Sequence, residues 1–423
     1  MRGVLRGIGA LGFAAALSAG SHLWGRALGE PDPRLEVQIR SVAGHGSGAA
    51  LVAGSLTGKL ALDRPLTSSP AGKDPFVELL DSDGACRQSL LLGGTGAREL
   101  TSAAFDPAGN VILAGELAKT LELGGRRLVT PDHTRSSGFV ARLDRNGQLQ
   151  WVKHLTTEAS AWIDIHGAAP DARGNVIASG YVDGDKVFLD GAELGARSKF
   201  AIKLDPSGRV LWSKSLRYGL ADTRPPVIDP SGNAVFAFVS ESLERTHILK
   251  LDPAGNQLFW QKLGGGDTQD LTGLAVDSAG NILLAGHGGL GAAPPEGESA
   301  FVARLDPEGR VLTVRRGKQI TYASVAVGDH DSVLVAGSAP PSADWGGAAV
   351  RGAGPRFVAR LDARLRPVWV ARLEGDAGPA LTVGAVPGRA ALVAGPFRGS
   401  LALGGRPIRG GAGENAFAAA LAP

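Results

Sequence analysis

Nine aspartates head short repeated turns in this chain, eight of them containing glycine: Asp106, Asp144, Asp171, Asp205, Asp229, Asp252, Asp277, Asp306 and Asp362. Carboxylates at a regular spacing can ligate calcium. That ion, however, takes about six to eight oxygens converging on one point, and single acids in separate turns do not converge. Turn chemistry suits them better, each side chain accepting from backbone N–H groups two residues on. The "GDHDS" stretch around His330 sets two acids beside an imidazole, which is metal-ligand chemistry in principle. Neighbours on a turn point apart, so a solvated turn is the expectation. The eight histidines are otherwise scattered without an HExxH or HxH spacing. No metal and no cofactor is expected.

Trp151, Trp212, Trp260 and Trp369 follow four of these turns at equivalent points. A quinone-binding protein docks tryptophans in a similar place, but it also uses a vicinal cysteine pair, and Cys86 is the only cysteine. Filling the gap between neighbouring repeat units explains the recurrence without a central cofactor. One cysteine also rules out an intramolecular disulfide and a CxxC site. The chain carries no GxSxG, P-loop or DNA-binding signature, and its formal charge of +3 includes Arg2, Arg6 and Arg26 near the N-terminus. Nucleic acid is not an expected partner.

The elements that must position any site repeat. "FVARLD" occurs at 139, 301 and 357, with related copies "FVELLD" at Phe76, "FAIKLD" at Phe200, "HILKLD" at His247 and "FAAALA" at Phe417. In five copies a turn and a second apolar segment follow, as in "LDPSGRVLWSKSL" from Leu204, which reads as a hairpin. Ahead of each stands strand, D-x-x-G-N turn, strand, as in "LAVDSAGNILLAG" at 274 to 286. Two hairpins make a four-stranded antiparallel unit. The expected fold is all-β: a seven-bladed propeller whose blades bury apolar residues on both faces. The last copy lacks its outer strand, and "RLEVQIR" at 34 to 40 is expected to supply it, so that Leu35 to Arg40 pairs with Phe417 to Leu421 and closes the ring.

"TGLAVDSAGNILLAG", "LELGGRRL", "FVARLDPEG" and "LWSKSL" in that order resemble the SBBP-type β-propeller repeat proteins of bacteria. The resemblance covers residues 34 to 423 and implies an exported or surface protein without an invariant catalytic set. Residues 1 to 29, with Arg2 and Arg6 ahead of an apolar run from Ile8 to Ala19, read as a signal peptide, leaving 30 to 423 as a single domain. The apolar run is short for a membrane span, so membrane contact is expected only through an uncleaved signal. A monomer, secreted, periplasmic or at the cell surface, is the expectation.

Variation in connecting loops carries specificity on such a scaffold. The least repetitive segments supply Trp162, Asp164, His166, Tyr218, Asp222, Arg224, Asp267 and Asp270 as candidate contact residues. Aromatics beside acids and arginine suit a protein epitope or a polysaccharide. The expected function is non-enzymatic binding of such a partner through the loop-rich face. The alternative is an enzyme, a quinoprotein-like oxidoreductase, lyase or hydrolase, with its site at the central opening. Converging carboxylates and Arg or His in a deep axial pocket would favour the second class.

Overall fold

The computed structural model describes residues 22–28, 36–60, 66–67, 73–158, 160–195, 198–216, 220–240, 246–263, 270–288, 290, 300–317, 319–345, 348–378, 380–403 and 406–422. Most of the proposed signal segment, residues 1–21, lies outside them.

Each repeat folds as its two hairpins dictate. Glu36–Gly44, Ala50–Thr57, Asp74–Leu80 and Cys86–Leu91 form one antiparallel sheet in sequence order. The same order recurs in Ile163–Pro170, Val176–Val182, Lys199–Leu204 and Val210–Leu216, and again in Asp270–Val276, Ile282–His287, Ala300–Leu305 and Val311–Gly317. Other units depart from four strands. The "VFLDGAE" hairpin pairs with the outer strand Leu149–Thr157 of the preceding unit and extends that sheet to six strands. The last two units merge into one sheet through the long strands Pro367–Ala377, Ala390–Leu403 and Arg406–Leu421.

Alternation along each second strand drives the packing. Ile112 and Ala114 face Ile165, Val176 and Phe200 of the following unit, while Val111, Leu113 and Leu117 face Leu51, Ala53 and Val77 of the preceding one. The core therefore lies between sheets, as a series of interfaces.

The C-terminal strand finds a different partner from the expected one. Phe417–Leu421 pairs with His22–Leu28, Ala27 standing opposite Phe417, whereas Glu36–Gly44 is the first strand of its own sheet, paired with Ala50–Thr57. The sequence comparison misplaced the segment because "RLEVQIR" and "HLWGRAL" have the same alternation, and only the second leaves Glu36–Gly44 to begin a unit.

The turn aspartates accept as expected, and four of them do more. Asp106 Oδ1 accepts from the N–H groups of Ala108 and Asn110, both at 2.9 Å, and its Oδ2 accepts from the Asn110 amide. That explains Asn after the Gly. Asp106, Asp171, Asp229 and Asp277 are also buried against Arg142, Lys203, Lys250 and Arg304, the cations of the "FVARLD" copies. The same cations donate to carbonyls of the next unit, Arg142 to Pro206 at 3.2 Å and Lys250 to Pro307 at 2.9 Å. Trp151 and Trp212 Nε1 reach Pro206 and Pro253 at 3.0 Å. Burial would raise the Asp171 and Asp229 carboxyls, but bonds from Asn and Lys side chains outweigh it and hold both below the usual range. "DHDS" is likewise a tie: Asp331 accepts from Ser278 N and Oγ, and Asp329 from Gly388 N–H.

The first strand of most units carries a bulge, and a glycine faces it. Gly54, Gly180, Gly286 and Gly337 lie in the second strands, and a Cβ on any of them would fall within the van der Waals envelope of the carbonyl oxygen of Gln38, Asp164, Asp270 or Thr321. Backbone cannot yield as a side chain can. Where Phe238 replaces the glycine, the register shift moves, falling between Ala221 and Thr223. Gly286→Ala is expected to cost about 1–3 kcal/mol, while Gly46→Ala, with open space around it, should stay within about 0.5 kcal/mol. Denaturant melts of the two variants check this, and equal midpoints would refute it.

Candidate functional site

The bulges aim side chains at the axis. In five first strands the extra residue is Arg40, Thr101, His166, Thr272 or Ala323, skipped in the pairing with the second strand. Each lies five positions ahead of its turn residue: His45, Asp106, Asp171, Asp277 or Gly328. Arg224 has the same offset from Asp229, and Thr382 takes the corresponding place in the last unit. All of these line one cavity of about 960 Å³ enclosed by the first strands. One repeat position thus supplies a tier made of arginine, histidine, threonine and a single alanine.

A second tier lies two residues earlier along the first strands. There Glu99 and Asp164 line the cavity, joined by Glu116 from a second strand. Arg40 and Glu99 form an ion pair between neighbouring units, both side chains partly exposed. The Ile165 N–H donates to Glu116 Oε1 at 3.2 Å, which holds Glu116 against the adjacent Asp164. Burial, then the hydrogen bond and charge of Asp164, push the Glu116 carboxyl up to about 9, so Glu116 keeps its proton at neutral pH. Trp162 and Tyr181 stand beside it with ring centroids 5.2 Å apart at 51°. Lys199, in register with Tyr181, is buried with Nζ 5.7 Å from the Phe238 ring centroid.

No family model matches the chain, and no curated protein matches it. Solved structures do. Puromycin hydrolase aligns over 94% of this chain and 57% of its own at 14% identity, with a TM-score of 0.50. The Dos1 propeller aligns over 95% and 96% at 11% identity and 0.47, and the WD40 domain of Toxoplasma gondii coronin over 94% and 89% at 10% and 0.49. Successive antiparallel sheets, each sharing its core with the next, give the architecture. The chain is a β-propeller. At these identities the likeness concerns fold alone.

Within the propeller, four of the eight residues singled out by sequence come together. Trp162, Asp164, His166 and Arg224 all line the axial cavity. Asp164 and His166 are not loop residues, however: they belong to the strand Ile163–Pro170, whose front half the repeat comparison had counted as connection. Asp270 likewise opens the strand Asp270–Val276, exposed and opposite His287, away from the cavity lining. Asp222 lies in the strand Leu220–Thr223, and Tyr218 and Asp267 fall outside the described residues. Arg40, Glu99, Glu116, Tyr181 and Thr272 were missed. The signal for Arg40 and Thr272 was a fixed offset from the turn; nothing comparable marked Glu116.

Proposed function

We propose that this chain is an exported propeller of seven four-stranded blades, of SBBP repeat type, closed by its first and last strands, and that it binds a glycan in the axial cavity. Any signal cleavage then falls ahead of His22, since a cut at residue 29 removes the strand His22–Leu28. The carrying observation is the Trp162–Tyr181 pair beside Glu116 and Asp164 in a deep concavity. Aromatic faces take the apolar side of a sugar ring, and carboxyl and guanidinium groups take its hydroxyls. Such a recess fits a saccharide better than a flat protein epitope.

The convergence of carboxyls with His166 and Arg224 supports a second reading, acid–base chemistry on the bound sugar. Calorimetric titration with a panel of oligosaccharides tests both, since turnover would appear as product in the same samples. Binding by the wild type and a loss of about tenfold in Trp162→Ala are expected. A folded protein that retains no glycan, or a Trp162→Ala variant with unchanged affinity, would remove the reading.

A further inference from the structure

The exposed apolar side chains of this propeller are not scattered. Among the described residues eight large ones stand from 41% to 57% exposed. Six of them, Val210, Leu211, Leu258, Val311, Leu312 and Val368, share one repeat position: the first two residues of an outer strand, directly after its turn. They belong to four successive units. Because the units repeat in one orientation, these residues lie along one side of the molecule, the side that carries the Asp-headed turns. A lone exposed leucine needs no explanation, whereas a row of them at one level does.

The same position in the last sheet is where the N-terminus enters. His22 stands opposite Leu421, as Val210 does opposite Leu204, Gln257 opposite Leu251, Val311 opposite Leu305 and Pro367 opposite Leu361, and in every case a register shift follows. The strand His22–Leu28 is thus the outer strand of its sheet. Ahead of His22 the sequence has only Gly20 and Ser21 before the apolar run Ile8 to Ala19. Three residue steps reach at most about 11 Å. Whatever receives the run is therefore held close to the level of the exposed row.

We propose that this turn-bearing side is a membrane-contacting surface: the run Ile8 to Ala19 is retained and enters a lipid bilayer, and the exposed Val and Leu residues rest in the bilayer interface. A run too short to span comfortably is long enough for an interfacial segment. Four units and a tether at one level call for a partner that is flat and extended, as a bilayer is. Beside the row Arg209, Arg310 and Arg366 are paired within their own turns to Asp205, Asp306 and Asp362, so uncharged lipid meets little unbalanced charge there. A second copy of the chain fits less well, since Lys214, Lys262 and Arg315 stand in these same outer strands and guard them against edge-to-edge pairing.

The test attaches an environment-sensitive dye to the full chain, in a Cys86→Ser background, at Leu258→Cys or, on the opposite side in the exposed connection after Val182, at Asp185→Cys. Vesicles of uncharged phosphatidylcholine are then added. The dye at position 258 is expected to shift to the blue and brighten at least about twofold, and the dye at 185 to stay unchanged. Leu211→Ser combined with Leu312→Ser, exposed and so close to neutral for folding, should remove about half of the response at 258 or more. No response at 258, an equal response at both positions, or a response indifferent to the double substitution overturns the proposal. A response at 258 that appears on raising the protein concentration without vesicles overturns it as well, and assigns the row to a second copy.

Discussion

A variant lacking residues 22–28 is expected to lose the single cooperative unfolding transition of the intact chain, and Arg26→Met within the intact chain to lower stability by about 3 kcal/mol. The strand His22–Leu28 covers what would otherwise be the open edge of Arg406–Leu421, buries Leu28 completely, and packs Trp24 against the turn at Gly84. Deleting it exposes a row of backbone donors and acceptors together with apolar surface. Arg26 makes the effect larger than that of an ordinary strand. It donates to the Gly84 carbonyl at 3.0 Å and stands 3.6 Å from Glu78, whose side chain is 0% exposed in the middle of the neighbouring sheet. Removing the cation takes the counter-charge from a buried carboxylate, which costs far more than the exposed part of Arg26 would indicate. Arg26→Met combined with Glu78→Leu should recover most of the loss, because an apolar pair of similar size needs no counter-charge. Chemical denaturation of the three variants measures this. A midpoint for the deletion equal to that of the full chain would show that the strand contributes nothing to the ring.

Much of the architecture was legible in the sequence because a repeated hairpin has few ways to fold. Asp, Gly and Asn at fixed offsets specify the turn, and apolar residues on both faces of the following strand specify burial between sheets. What was not legible depends on contacts between repeats. Nothing local in "FVARLD" tells that its Arg crosses to the turn aspartate of its own blade and to a carbonyl of the next, since those partners lie 36 and 64 residues away. The choice between "HLWGRAL" and "RLEVQIR" as partner of the last strand was beyond pattern for the same reason. The site was half legible. Trp162, Asp164, His166 and Arg224 stood out by breaking the repeat, but Asp164 and His166 are presented by a bulged strand rather than a loop, and a bulge leaves only the opposing glycine as a trace. Glu116 follows that glycine directly, in "LAGELA". Its role becomes visible only once the next blade brings Asp164 alongside.

Glu116→Gln is expected to stabilise the protein, and to do so increasingly as pH rises. The cause lies in the pair it forms with Asp164. In the unfolded chain Glu116 ionises near pH 4.3, whereas in the cavity burial and Asp164 hold its proton to about 9. Below pH 4 both states are protonated and the carboxyl costs nothing. Between these values the unfolded state releases a proton that the folded state keeps, so stability falls with rising pH by up to about 1.4 kcal/mol per unit, until the folded carboxyl also ionises. Glutamine keeps the shape and an acceptor for the Ile165 N–H but has nothing to titrate. The difference in unfolding free energy between Glu116→Gln and wild type should be near zero at pH 4 and reach about 2 kcal/mol or more by pH 8. Asp164→Asn should reduce that slope without abolishing it, since it takes away a charge that adds to burial in raising Glu116. A difference that stays flat from pH 4 to 9 would mean that the folded protein does not hold the Glu116 proton. A rising difference carries a further implication: the propeller gives up stability to keep an acid pair in its axis, which packing alone does not require and a ligand rich in hydroxyls does.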